Sequence, residues 1–572
     1  MSMFSYTSGI VQVGNVAIGG NNPIRIQSMT STNTLDTEAT VAQAIRLIEA
    51  GCELVRITAP GEKEALALET IQKKIREKGF STPLIADIHY KPKAAEIAAR
   101  IVDKVRINPG NYVDRKKGRT HFSKTEYDLE IEKIRSNIKP LIEICKTHGT
   151  AMRIGSNHGS LSERILLEYG DTPEGMVQSA MEFIEICESF SYHDIILSMK
   201  ASNVKVMVEA NRLLIEKMMN RGMNYPLHLG VTEAGDAEDG RMKSAAGIGT
   251  LLYDGIGDTI RVSLTEEPEN EIPVARQLAL KPNLVRQIKS NDNQSQITIP
   301  QRSFDRHETS AVGNIGGDHP PVVIIGVKKE EKPNFNIDFK PDFIFDRLTG
   351  KLFSEKRDLT LTPVFINSDK TFSNEIRDPA PEKVFVIDLG YSAGLNQIKG
   401  WFEVLKQKKL KNPVILHKDF GYLDEETLII KAAADFGYFL IDGMGDGIWL
   451  KSLMMQPEKL AEIAFGVLQA TRSRITKTEY IACPSCGRTL FNIQQTLSKI
   501  KEKTSQFKNL KIGVMGCCVN GPGEMADADF GYVGAGKGKV TLYKGKKIME
   551  TGVPEEDAVD KLLTLINSEQ AK

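Results

Sequence analysis

A strand-then-helix unit recurs eight times between residues 23 and about 280, and few folds accommodate that count in one run. The apolar runs fall at 23–29, 54–59, 83–88, 104–109, 151–157, 194–200, 226–232 and 259–265. Helical patterns lie between them, as at 37–50, 62–78, 91–100 and 173–189. Eight such units in about 250 residues are the measure of a TIM (β/α)8 barrel, assigned here to 1–281. A doubly wound α/β sheet is the alternative, but it seldom runs to eight units in sequence.

The polar residues inside those strands follow a period of two, so each pair two apart shares a face. Arg56 goes with Thr58, Asp87 with His89, Arg106 with Asn108, and Arg153 with Asn157. Ser198 goes with Lys200, His228 with Thr232, and Arg261 with Ser263. All lie toward the C-terminal ends of their strands, where barrel enzymes keep their active sites. A single strand arginine is most often half of an ion pair. Four arginines and a lysine with few inward acids instead describe a cationic pocket for a phosphorylated or diphosphorylated ligand, because guanidinium pairs bidentately with phosphate oxygens. Glu233, one step past the seventh strand, reads equally as the acid/base of that pocket and as an ion-pair partner of one arginine.

Cysteine usage singles out the other end of the chain. Cys52, Cys145 and Cys187 stand alone in helix-like surroundings and read as buried, inert thiols. Cys483, Cys486, Cys517 and Cys518 are clustered, the first two as Cys-Pro-Ser-Cys and the others on a glycine-rich loop ending in Glu524. The start of the chain reads as neither signal nor transit peptide, so a cytosolic setting is expected and a disulfide disfavoured. A zinc ribbon would want a second CxxC or a histidine pair, which the cluster lacks. Adjacent cysteines rarely ligate one ion together, so Cys517 or Cys518 is expected, not both. Three thiolates at this spacing fit a redox iron–sulfur cluster better than zinc, with the fourth ligand open.

Composition removes other classes. The 572 residues carry 74 basic and 74 acidic side chains, so no global field draws the chain to nucleic acid or a membrane surface. No apolar run approaches membrane-spanning length.

Seven motifs occur in one order: QSMT (27–30), ADIH (86–89), RINPGN (106–111), HLGVTEAG (228–235), GIGDTIRVSL (255–264), IACPSCGR (481–488) and NGPGE (520–524). Over about 10–281 and 470–560 the chain thereby resembles the 4-hydroxy-3-methylbut-2-enyl diphosphate synthases of the methylerythritol phosphate pathway. The resemblance implies a reductive, dehydrating ring opening of 2-C-methyl-D-erythritol 2,4-cyclodiphosphate to the linear diphosphate. It implies a [4Fe–4S] cluster held by Cys483, Cys486, Cys517 and Glu524, which leaves Cys518 without a role. It implies diphosphate contacts from Arg56, Arg106, Arg153, Asn157, Lys200, Arg261 and Ser263. Asp87 and His89 are then expected near substrate, with Glu233 as acid/base; parity adds Asn108 and His228 as candidates. Ferredoxin or flavodoxin is the implied electron donor, and a homodimer the implied assembly.

The chain departs from the compact family form between 282 and 469, where an insert separates the barrel from a cluster domain at 470–572. It opens with a linker-like stretch, 289–320, followed by apolar runs at 322–327, 342–346, 362–366, 383–389, 413–417 and 438–442. These predict a parallel α/β layer or incomplete barrel. Asp254-Gly-Ile-Gly-Asp258-Thr-Ile-Arg261-Val-Ser263 is echoed by Asp442-Gly-Met-Gly-Asp446-Gly-Ile-Trp449-Leu-Lys451, which reads as duplication with the phosphate-binding arginine and serine replaced. Residues 112–136 read as a loop-plus-helix insertion. The cluster domain resembles the small α/β module of sulfite and nitrite reductases. Its Gly531–Gly538 segment mimics a phosphate-binding loop but runs into a strand. A zinc-stapled, phosphate-binding barrel without redox function is the competing reading.

Overall fold

The computed structural model describes residues 6–88, 90–113, 118–291, 306–327, 333–354, 358–366, 380–390, 395–519 and 521–570. They form two compact units, one comprising Met1–Gly240, Gly255–Pro300 and Lys477–Lys572, the other Arg241–Asp254 and Gln301–Thr476.

In the first unit, eight parallel strands form the expected barrel: β1 (Arg25–Met29), β2 (Leu54–Thr58), β3 (Leu84–Asp87), β4 (Lys104–Ile107), β5 (Ala151–Asn157), β6 (Ile195–Lys200), β7 (His228–Leu229) and β8 (Thr259–Ile260). The ladder runs β6-β5-β4-β3-β2-β1-β8-β7, and a parallel bridge between Leu197 and Leu227 closes it. Register sets Asp87 beside Arg106, Arg106 beside Arg153, and Asn157 beside Lys200. An N-terminal hairpin, Val11–Val13 with Val16–Ile18, packs Val11, Val13 and Ile18 against Leu54, Ile85, Ala151 and Ile196. The seventh and eighth strands are shorter than the apolar runs suggest, so Arg261 and Ser263 sit just beyond the ladder. The 112–136 region is largely the start of a helix, Lys124–His148, opened by a Ser123/Glu126 capping box and closed by Gly149 at φ 66°.

The insert is a second, barrel-like sheet of eight strands: β9 (Val322–Val327), β10 (Phe343–Asp346), β11 (Lys351–Ser354), β12 (Leu359–Leu361), β13 (Pro363–Ile366), β14 (Val384–Asp388), β15 (Val414–Asp419) and β16 (Gly447–Lys451). Their order is β12-β11-β10-β9-β16-β15-β14-β13, parallel except around β11, which pairs antiparallel with both neighbours. The 438–442 run is not a strand. It ends the helix Glu425–Leu440, which is buried on all sides from Leu428 onward except at Lys431, and an apolar run alone cannot separate a buried helix from a buried strand. Of the linker-like stretch, 292–305 lies outside the described residues, and helix Glu271–Asn291 overruns its start.

The sequence echo is also a structural one. Asp258 Oδ2 accepts the Leu227 N–H at 2.9 Å and Asp446 Oδ2 accepts the Val414 N–H at 2.9 Å. The two aspartate carbonyls accept the N–H groups that open β1 (Arg25, 3.0 Å) and β9 (Val322, 2.9 Å). Each aspartate therefore pins the last parallel strand between the strand before it and the first of its own sheet. Where β8 leads into Arg261, β16 carries Trp449, whose ring packs on Phe345 (4.4 Å between centroids) and His417 (4.6 Å).

The C-terminal module, which belongs to the first unit, carries a five-stranded sheet in chain order: β17 (Glu479–Ala482), β18 (Lys511–Met515), β19 (Phe530–Gly536), β20 (Lys539–Lys544) and β21 (Lys547–Pro554). The phosphate-loop mimic is largely strand β19. Helices Ile493–Thr504 and Glu555–Gln570 cover one face through Leu497, Ile500, Leu562 and Ile566. On the other face, Met525 and Ala528 pack against Ile481, Met515 and Val533.

Candidate active site

Six cations line one pocket at the C-terminal mouth of the barrel: Arg56, Arg106, Arg153, Lys200, Arg261 and, from the C-terminal module, Arg488. The pocket has about 730 Å³ of open space measured out to solvent, and its lining also includes Cys483, Cys486, Cys517 and Glu524. Arg153 is 1 % exposed; its Nη1 donates to Ser198 Oγ at 2.6 Å, while Nε and Nη2 have no protein partner. Burial, reinforced by the neighbouring arginines, pushes the Arg153 and Lys200 pKa values well below their ordinary range. The Arg56 guanidinium is pushed down to about 10, chiefly by burial and then by Arg261, Arg106 and Arg488, with Asp87 opposing. Crowded, desolvated like charges are costly, and an anionic ligand would relieve that cost.

Two acids offset part of this charge. Asp87 accepts from Arg106 Nη1 at 3.2 Å and Arg488 Nη2 at 3.4 Å. Glu271 takes Arg261 bidentately, at 3.1 and 3.0 Å, so Arg261 is half of an ion pair as well as part of the wall. Arg106 also donates to Gly155 O at 3.1 Å and Asn157 Oδ1 at 3.3 Å.

Glu233 lies in the same pocket, with backbone φ at +49°, a left-handed conformation that costs a non-glycine residue ~1–2 kcal/mol. Strain of that size is retained where surrounding contacts demand it. The Glu233 carboxyl donates to the Glu524 carboxylate; burial first, then the charge of Glu524, holds its pKa well above the carboxylate range. Its Oε2 has no protein partner.

Of the residues selected by parity or resemblance, Arg56, Asp87, Arg106, Arg153, Asn157, Lys200, Thr232, Arg261, Ser263 and Glu233 line the pocket. Thr58, Ser198, Asn108 and His228 do not. The Asn108 side chain works locally instead, accepting the Gly110 N–H at 3.2 Å as cap of the turn Pro109–Tyr112. His228 is fully buried within the short strand β7, its Nδ1 2.7 Å from Thr259 Oγ1. Parity reports which way a side chain points and not how deep it sits. His89 lies outside the described residues. Met29 and Arg488 also line the pocket, and strand parity selects neither, although Arg488 sits in the IACPSCGR motif.

Strand ends position the thiols. Cys483 follows β17 directly, Cys517 lies two residues past β18, and Glu524 closes the turn Gly521–Glu524. The Gly516 N–H donates to Cys483 Sγ at 3.2 Å. Burial pushes the Cys483 thiol up, and that of Cys517 up to about 11. Cys518 is exposed and outside the lining. Cys52, Cys145 and Cys187 are buried as expected, the first two pushed by burial up to about 12. Among the described residues, no three His, Cys, Asp or Glu side chains gather tightly enough to hold one metal ion.

The module sits over the barrel of its own chain. Asn157 Nδ2 donates to Glu524 Oε1 at 2.8 Å, Thr265 Oγ1 to the carbonyls of Ala482 and Cys483 at 3.2 Å each, and Tyr90 Oη to the Val519 carbonyl. Backbone also meets backbone: a Cβ on Gly159 would stand 1.9 Å from the Gly523 carbonyl oxygen. Gly159→Ala is therefore expected to hold the module off the barrel. Turnover should fall at least about tenfold, with iron content unchanged, since the methyl group must displace main chain next to Glu524. A parent-like rate would show that this seam does not matter.

The chain matches the GcpE TIM-barrel domain over residues 8–276 and the GcpE protein C-terminal domain over residues 479–568. It is 49 % identical over 616 residues to the 4-hydroxy-3-methylbut-2-en-1-yl diphosphate synthase (flavodoxin) of Parabacteroides distasonis, covering 99 % of both chains. The protein of the same name from Phocaeicola vulgatus is 47 % identical, again over 99 % of both. That from Porphyromonas gingivalis is 45 % identical over 99 % of this chain and 98 % of its own.

Proposed function

The chain belongs to the GcpE family, and from that premise we propose that this pocket performs the reaction named by its relatives, forming 4-hydroxy-3-methylbut-2-en-1-yl diphosphate. The substrate is 2-C-methyl-D-erythritol 2,4-cyclodiphosphate; two electrons enter, the ring opens and water leaves. One observation carries the reading: an excess of buried cations shares a single pocket with three thiols and a carboxylate.

Cys483, Cys486, Cys517 and Glu524 are the residues that would hold a [4Fe–4S] cluster. Their placement fits it. A mononuclear zinc site needs donors at about 2–2.3 Å from one point, whereas the ligands of a four-iron cluster each meet a different iron. Three thiols and a carboxylate line one pocket, a donor set that suits the second case. When bound, such a cluster supplies electrons one at a time and a Lewis-acidic iron. Glu524 is the harder and more easily displaced donor of the four.

The remaining steps belong to side chains. Arg56, Arg106, Arg153, Asn157, Lys200, Arg261 and Ser263 bind the diphosphate oxygens, and their donors replace the solvent lost on binding. Asp87 orients Arg106 rather than meeting phosphate. Glu233 holds a proton beside Glu524 and delivers it as the water leaves. The module excludes bulk water from the pocket. Reduced flavodoxin is the donor, as in the names of the relatives, with ferredoxin the alternative. One chain supplies the barrel and module residues that line this pocket, so the expected homodimer is not needed to complete it. We place the enzyme in the cytoplasm; no described helix is long and apolar enough to cross a membrane. The insert, 282–469, acts as a structural, barrel-derived domain between the barrel, 1–281, and the cluster domain, 470–572.

The test is anaerobic purification with iron and sulfide analysis, absorption spectroscopy, and turnover of the cyclodiphosphate with dithionite and a viologen dye. About four irons and four sulfides per chain are expected, with linear diphosphate formed. A colourless protein carrying one zinc and leaving the cyclodiphosphate intact would overturn the proposal.

A further inference from the structure

We infer that Arg488 is a phosphate-binding residue of the pocket, contributed by the C-terminal module rather than the barrel. The inference rests on the substrate reading above and extends it to a residue outside the barrel strands.

Arg488 follows Cys486 by two residues, on a loop pressed against the barrel: a Cβ on Gly487 would meet the Thr32 carbonyl oxygen at 2.7 Å. Its side chain is 14 % exposed. Only Nη2 has a carboxylate partner, at 3.4 Å from Asp87 Oδ2, while Nε and Nη1 are buried without a protein partner. Arginines held firmly in ion pairs look different in this chain. Arg164 grips Glu182 through two contacts of 2.8 and 2.7 Å, and Arg261 grips Glu271 through two of 3.1 and 3.0 Å. Arg488 instead makes one long carboxylate contact, to Asp87, which Arg106 already engages, and its side chain also hydrogen-bonds Cys486. One carboxylate between two guanidinium groups leaves a net positive charge, with donors buried in the pocket wall. Such donors suit the paired oxygens of a phosphate.

A diphosphate touching Arg106 and Arg488 together would bridge the barrel and the module.

The holoenzyme and its Arg488→Gln variant, both prepared anaerobically, would be titrated with the cyclodiphosphate by calorimetry and then assayed. Affinity should fall, and KM rise, about ten- to a hundredfold in Arg488→Gln, with kcat changed far less and iron content unchanged. Arg488→Lys keeps the charge but not the fork and should fall between the two. Parent-like affinity in Arg488→Gln, parent-like KM in Arg488→Lys, or loss of iron with KM unchanged would each overturn the inference, the last by assigning Arg488 to the thiolates beside it. Failure of the parent enzyme itself to bind the cyclodiphosphate would strike instead at the substrate reading.

Discussion

Glu233→Gln is expected to lower turnover by about 10²- to 10⁴-fold while iron, sulfide and the absorption spectrum stay at parent values. The substitution is close to isosteric, and a glutamine amide can still donate to Glu524, so the contact that holds the two side chains together survives. What it cannot do is release a proton near neutral pH. The site around Glu233 is built for a proton held ready: the residue is 4 % exposed, its carboxyl faces a second carboxylate, and Oε2 is free of protein partners. Its left-handed backbone is a further commitment, because an ion-pair partner for Lys200 could be supplied from relaxed geometry. If turnover is unchanged, the proton comes from elsewhere. If turnover is lost together with iron, Glu233 serves to place Glu524 and is not the acid.

The barrel is the most legible part of the chain because eight strands buried on all sides leave eight apolar runs, and because parity tells inward from outward along each. The same rule explains its own errors. Asn108 and His228 have the parity of inward residues, but one caps a turn and the other sits within a two-residue strand, and depth along a barrel axis leaves no mark in a period of two. Arg488 escapes for a different reason. Parity has nothing to say about a loop, and the side chain reaches across to Asp87, which lies 401 positions earlier in the chain. In the insert, the run 438–442 has the composition and length of a strand, and the helix that contains its first residues begins well before it, at Glu425. The hairpin Lys351–Ser354 with Leu359–Leu361 is short and half exposed, with too little apolar alternation to stand out. By contrast, the repeated aspartate turn is visible because it is a hydrogen-bonding device: replacing Asp258 or Asp446 would leave buried strand N–H groups unpaired in either sheet.

Cys517→Ala and Cys518→Ala should separate completely, although the residues are neighbours. The first is expected to strip the protein of most of its iron and take turnover to background; the second should keep both at parent values. Cys517 lines the pocket with Cys483, Cys486 and Glu524, and burial keeps its thiol protonated until a metal displaces the proton. Cys518 is turned to solvent. Consecutive side chains in extended or turning backbone project in divergent directions, so the geometry that brings one thiol to the pocket excludes the other. The pair also controls for the loop itself, since both substitutions remove one sulfur from the same glycine-rich segment and neither adds bulk. Iron analysis with absorption spectroscopy on the two purified variants would decide it. Iron lost from Cys518→Ala and retained in Cys517→Ala would reverse the ligand assignment, and iron lost from both would mean that the loop, not one thiol, holds the site together.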